Sequence, residues 1–141
     1  MRRMTHEEWQ AFVMEGTRTG KLATARKDGR PHVVPVWFVL DGDDFVFTTG
    51  EATVKGRALL RDGRAAICVD LEEPPFAYVS AEGIARISRD QTQLLRWATA
   101  IGGRYMGADR AEEFGRRNAV LDELLVRLTP THVVALADIS D

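Results

Sequence analysis

The sequence predicts a mainly β domain: six or seven antiparallel strands closed into a small barrel, with three or four helices inserted between them. Three observations predict it. Strand-like runs are separated by turn dipeptides, Asp28-Gly29, Asp41-Gly42 and Asp62-Gly63, which is the local signal of hairpins. Strands joined by tight turns favour an antiparallel barrel over a parallel sheet, which needs long crossovers. A chain of 141 residues, 45% hydrophobic and 28% charged, suits a single domain with one proper core. There is no repeat, low-complexity tract or linker, so residues 1–141 read as one domain.

The elements follow in order. Thr5 and Glu8 have capping-box spacing, and Trp9, Phe12 and Val13 fall at helical intervals, so a short helix opens the chain. Gly16 and Gly20 bracket its end. Lys21 to Ala25 is extended, and His32 to Leu40, rich in Val, Trp and Phe, returns as one strand. Phe45 to Thr49 is the third strand, broken by Gly50. Ala52 to Arg61 is helical, with Val54, Ala58 and Leu59 sharing a face. Ala65 to Leu71 is a strand, Glu72 to Pro75 a stiff loop, and Phe76 to Ile87 a long strand with Gly83 as a bulge or close-approach point. Ser88 and Gln91 form a second capping-box pair, opening a helix from Arg89 to a Gly-Gly break at 102 and 103. A charged helix, Asp109 to Arg117, surrounds Phe114. Ala119 to Leu128 and His132 to Asp138 read as two strands turned by Pro130, although Glu123 to Arg127 also reads as helical.

Composition narrows the function. Lys plus Arg (19) against Asp plus Glu (21) gives a net charge of −2, which argues against nucleic acid as the main partner, since phosphate neutralisation needs a concentrated basic face. The single cysteine, Cys68, reads as a buried small hydrophobe and excludes a cysteine-rich metal site. No apolar run approaches the length of a membrane helix and the first residues carry no secretory pattern, so the cytosol is the expected place. His6, His32 and His132 lie in different elements without ligand spacing, and no nucleophile motif is present.

Two stretches carry chemistry. In Phe47-Thr48-Thr49-Gly50-Glu51-Ala52-Thr53-Val54-Lys55-Gly56-Arg57, a strand ends in hydroxyls, a glycine opens the backbone, and a helix begins beside two cations. That is the composition of a phosphate cradle; it is equally that of a capped surface helix with solvated basic residues. In His32-Val33-Val34-Pro35-Val36-Trp37-Phe38, Pro35 interrupts a strong strand and is tolerated mainly at an edge or opening. Beside Trp37, such an opening offers a flat slot for a planar heterocycle; Trp37-Phe38 alone also fits an ordinary core pair.

Together with Gly20-Lys21-Leu22-Ala23-Thr24, Asp28-Gly29-Arg30-Pro31-His32, Ala81-Glu82-Gly83, Arg104-Tyr105 and Leu128-Thr129-Pro130-Thr131, these stretches resemble, over nearly the whole chain, the pyridoxamine 5'-phosphate oxidase-like split β-barrel family. The branch that looks most similar uses the deazaflavin coenzyme F420 in place of FMN. The resemblance implies a Greek-key split barrel acting as a homodimer with interfacial cofactor sites and a small-molecule substrate. It implies that the ring lies along Val34, Pro35, Val36 and Trp37, near His32. It implies that the tail lies by Thr48, Thr49, Gly50, Thr53, Lys55 and Arg57, with Lys55 as the phosphate ligand, and that Phe76, Tyr78 and Tyr105 reach a partner's cofactor. The implied reaction is hydride transfer between reduced F420 and a conjugated acceptor such as an enone, quinone or tetrapyrrole. His32 and Tyr78 are the candidate proton donors. An FMN-dependent enzyme, or a non-catalytic flavin or deazaflavin binder, is the alternative. A longer basic groove for the F420 tail would draw on Lys21, Arg26, Lys27 and Arg30, which otherwise form a solvated charge cluster.

Overall fold

In the computed structural model, which describes residues 1–141, each Asp-Gly pair is a turn. Gly29, Gly42 and Gly63 take φ of 89°, 60° and 74°, where a Cβ is strongly disfavoured. The strands are β1 (Arg2–Arg3), β2 (Gly20–Ala25), β3 (Pro31–Val36), β4 (Val39–Asp41), β5 (Asp44–Gly50), β6 (Arg64–Leu71), β7 (Ala77–Ser88) and β8 (Glu123–Ala137). The helices are α1 (His6–Met14), α2 (Val54–Arg61), α3 (Gln91–Met106) and α4 (Ala111–Asn118), with a 3-10 turn at Ala108–Arg110. No helix is long and apolar enough to cross a membrane.

Every strand pair is antiparallel, in the order β3-β2-β6-β7-β8-β5-β4, with β1 added to β8. The two ends of that order, β3 and β4, are separated in sequence only by Trp37 and Phe38. Three Cα steps span at most about 11 Å, so the sheet curls until its edges meet without pairing. The expected mainly β barrel is present and split. It has eight strands, because Arg2–Arg3 adds a short pair and the His32–Leu40 run is divided.

Five expectations are corrected. The run from His32 to Leu40 breaks at Trp37-Phe38 because side chains take the peptide groups of Phe38: its N–H donates to the Tyr105 hydroxyl (3.2 Å) and its carbonyl accepts from Arg104 (2.6 Å). Residues 123–137 form one strand. Phe47, Val126 and Ile87 are cross-strand neighbours, which excludes the helical reading of Glu123 to Arg127. Pro130 is a bulge and not a turn: Glu82 pairs with His132 and Gly83 with Pro130, leaving Thr131 over. A Cβ at Gly83 would collide with the Thr129 carbonyl. The third helix runs through Gly102-Gly103 to Met106, because Gly102 is where α4 crosses; a Cβ there would stand 2.7 Å from the Phe114 Cβ. Its N-cap is Asp90, accepting from the Gln93 N–H at 3.0 Å, in place of the Ser88/Gln91 box. The Thr5/Glu8 box forms as expected.

The barrel interior holds Leu22, Phe38, Phe45, Phe47, Ile67 and Val79, none more than 1% exposed; burial of each contributes about 1.5–3 kcal/mol. Trp9 and Val13 of α1 and Leu59 of α2 join this cluster. A second cluster, Val39, Val46, Leu94, Ile101 and Leu125, fastens α3 to the outer side of β4, β5 and β8. The outer side of β2, β3, β6 and β7 carries Ala23, Cys68 and Ser80, only partly buried, with Val33 and Ile84 exposed.

Candidate functional site

At the turn from β5 into α2, Thr53 caps the helix. Its hydroxyl accepts from the Gly56 N–H (3.0 Å) and donates to the Gly50 carbonyl (2.8 Å). That proton being used, Thr49 is the donor in the 3.1 Å Thr49–Thr53 contact. Thr49 points into the barrel and is 2% exposed. Two of the three threonines singled out in the sequence thus hold the turn together, and Thr48 is the one left on the outer side. The first turn of α2 has no acidic residue. Lys55 and Arg57 stand there without an ion pair or hydrogen bond, at the end of the helix where the macrodipole is positive. The two point to different faces of the helix, two residues apart, and Lys55 is the partly buried one; an anion at Lys55 relieves the conflict there.

Opposite Gly50 in the sheet lies Glu123, which sequence reasoning missed. Burial pushes its carboxyl above the usual glutamate value, and the Thr48 hydroxyl and Lys55 charge pull it back only in part. Its position was not legible because Ala119 to Leu128 gave no reason to single out one polar residue at a strand start.

The proposed ring wall is an edge, as Pro35 suggested, since β3 ends the hydrogen-bonded order. Val34 and Val36 pair with Leu22 and Gly20 and face inward; Pro35 pairs with Lys21 and faces outward. His32 also faces inward, opposite Thr24, and its Nδ1 and the Thr24 hydroxyl are buried without partners. Trp37 stacks on Tyr105 with centroids 5.0 Å apart and planes 5° from parallel. It packs against the cluster holding Val46 and Leu125, the neighbours of Thr48 and Glu123 along their strands. Trp37, Thr48 and Glu123 therefore share one side of the sheet.

Tyr105 is committed within its own chain: its hydroxyl donates to the Arg18 carbonyl (2.7 Å), and burial pushes its pKa up. Arg104 has no carboxylate partner and donates instead to the carbonyls of Val13 (2.8 Å), Gly16 (3.0 Å) and Phe38. Burial lowers its pKa. These two residues tie α1, the following loop and the β3–β4 break to one turn of α3. Phe76, with φ of 58°, lines a groove of about 790 Å³ with Phe12, Met14 and Arg18. Tyr78 is on the outer side of β7, pairing with Asp70 and Leu136. Nine residues of β7 separate it from Ser88, which pairs with Leu125 beside the Lys55 end. The candidates thus fall in separate places on one chain. Thr48 and Gly50 share one side of the sheet with Trp37, and Lys55 acts on the Glu123 carboxyl there, whereas Arg57 is exposed on another face of α2; His32 and Tyr78 lie on opposite sides of the sheet. None of the larger clefts is lined by Lys55 or Arg57. Arg26, Lys27, Asp28 and Arg30 line a shallow cleft at the β2–β3 turn, where Asp28 holds Arg30 at 2.8 Å. Lys21 is held by Asp70 at 2.8 Å at the other end of β2.

The family model described as pyridoxamine 5'-phosphate oxidase matches residues 5–136. The chain belongs to that family. A conserved hypothetical protein from Mycobacterium tuberculosis is 27% identical, with 97% of this chain and 87% of that one covered and a TM-score of 0.85. An F420 reductase is also 27% identical, covering 87% of this chain and 94% of that one, with a TM-score of 0.68. The heme storage protein HutZ from Vibrio cholerae, 20% identical and matched over the full length of both chains with a TM-score of 0.74, shares the fold. As a member of the pyridoxamine 5'-phosphate oxidase family, the chain has a flavin-binding type of barrel, and Lys55, without a salt bridge at the start of α2, has the charge that the phosphate of such a ligand needs.

Proposed function

We propose that the chain is an F420-dependent oxidoreductase, passing a hydride between reduced deazaflavin and a conjugated acceptor of the enone, quinone or tetrapyrrole type. The observation that carries this reading is Lys55 without a salt bridge at an acid-free helix start, in a chain 27% identical to an F420 reductase. The deazaflavin supplies the redox chemistry when bound. Lys55 and Arg57 hold the anionic tail, assisted by Thr48 and the N–H groups of the first turn. The strand from Val34 to Trp37 orients the ring. Tyr78, on the outer side of β7, is the better placed of the two proton donors, since His32 is turned into the barrel.

The reading includes a homodimer. Phe76 and Tyr78 are remote from Lys55 on one chain, and the small, partly exposed side chains of the outer sheet, Ala23, Cys68 and Ser80, are what a second copy packs against. A twofold partner brings its own Phe76 and Tyr78 toward the cradle.

Fluorescence titration with F420 and FMN in parallel tests the cofactor. Tight F420 binding with turnover of an enone or quinone supports the reading; FMN binding alone replaces it with the FMN-dependent alternative, which the family itself favours. F420 binding without turnover over a panel of acceptors leaves a carrier in place of an enzyme. Lys55→Ala is expected to weaken F420 about ten- to hundredfold while leaving the hydride step at saturation little changed.

A further inference from the structure

We propose that Glu123 sets which anionic tail the cradle accepts: it disfavours the dianionic phosphomonoester of FMN and tolerates the monoanionic phosphodiester of F420. The inference rests on the reading of Lys55 as the anchor.

Glu123 opens β8 opposite Gly50, the residue at which β5 ends and the turn into α2 begins. Gly50 has no side chain, and a Cβ built there would stand 3.6 Å from the Glu123 Oε1. The carboxylate therefore lies over the turn, half-buried. Thr48 shares that side of β5. Gly56, next to Lys55, packs on the Gly50 carbonyl so closely that a Cβ there would collide with it, which brings the first turn of α2 beside the same carboxyl; the Thr48 hydroxyl and the Lys55 ammonium both act on it. The other acid of the turn, Glu51, is held by Arg89 at 2.6 Å. Asp122 is exposed and meets the turn through its carbonyl, which accepts from the Glu51 N–H at 3.0 Å. Glu123 has no such cation partner within ion-pair distance. It is the acid that stands against the anchoring lysine.

The consequence is electrostatic. At the phosphate group itself a monoester carries about −1.5 to −2 at neutral pH, whereas a diester carries a single charge there, the further carboxylates of the F420 tail lying along the chain beyond it. The field of a fixed carboxylate acts on each negative charge, so it opposes the monoester about twice as strongly. Partial burial limits screening by salt. An acid beside an anion site weakens binding of any anion; its effect here is to weaken one class more than the other.

The test uses the full chain at low ionic strength and pH 7.5, titrated with F420, FMN and riboflavin, which has the FMN ring without the phosphate. Glu123→Gln is expected to tighten FMN about tenfold more than F420 and to leave riboflavin unchanged. Glu123→Asp, which keeps the charge, is expected to keep the wild-type ratio, with thermal melts confirming that both variants fold. Equal changes for F420 and FMN, a matching gain with riboflavin, or FMN binding still undetectable in Glu123→Gln overturns the proposal. Lys55→Ala separates the two possible failures. If that variant binds F420 as wild type does, the anchor is wrong and this inference falls with it. If it loses F420 while Glu123→Gln leaves the FMN-to-F420 ratio unmoved, the anchor stands and the role of Glu123 does not.

Discussion

Thr53 both accepts from Gly56 and donates to Gly50, so its hydroxyl has no proton left for a ligand; Thr49 is drawn into the same knot. A reading of residue types cannot distinguish a hydroxyl that caps a helix from one that faces a phosphate, because both functions select threonine at the same spacing. Lys55 was legible because a cation at a helix start contradicts the macrodipole, and such a contradiction is visible in sequence. Glu123 was not, since its environment comes from Thr48 and Lys55 on elements distant in the chain. Its raised pKa has a sign that can be checked. A carboxyl whose folded value exceeds its unfolded one favours the fold below the unfolded value, and that contribution is lost as pH rises through the folded one. Replacing Glu123 by Gln is therefore expected to raise the melting temperature at pH 7 and to leave it unchanged at pH 3, as calorimetry at the two pH values would show.

At the level of elements, β8 explains why one strand reads as two. Leu124, Val126 and Leu128 face the barrel interior, and beyond the bulge it is Val133, Ala135 and Ala137. One extra residue moves the apolar set from even to odd positions, and proline at the switch imitates a turn. The α3 glycines mislead for a related reason: Gly-Gly is a helix breaker by propensity, but the close approach of α4 decides the matter. Gly102→Val is expected to force α3 and α4 apart and cost about 1–3 kcal/mol, measured by denaturant unfolding. The break at Trp37-Phe38 was hidden because its causes, Arg104 and Tyr105, lie far along the chain. The hairpins and the first helix were legible, since Asp-Gly turns and the Thr5/Glu8 box act locally.

For the whole molecule, the outer sheet is where assembly is tested. Ser80 pairs with Cys68 and Val134 near the middle of that surface. Ser80→Arg is expected to yield monomers by light scattering and to lose F420 affinity although Lys55 is intact. A monomer that binds F420 with wild-type affinity would separate the cofactor site from the dimer. The barrel class and its antiparallel order follow from turn chemistry and were open to sequence reasoning; which side of the sheet remains uncovered was not, because that depends on where α3 docks.

The seam between β3 and β4 leaves a strand margin free along Pro31–Val36, with Val33 64% exposed. Such a margin invites a foreign strand to add itself. Pro31 and Pro35 flank Val33 and carry no N–H, so an incoming chain meets gaps in the row of donors it would need. The barrel thereby keeps an aperture in its wall without becoming a seed for fibres.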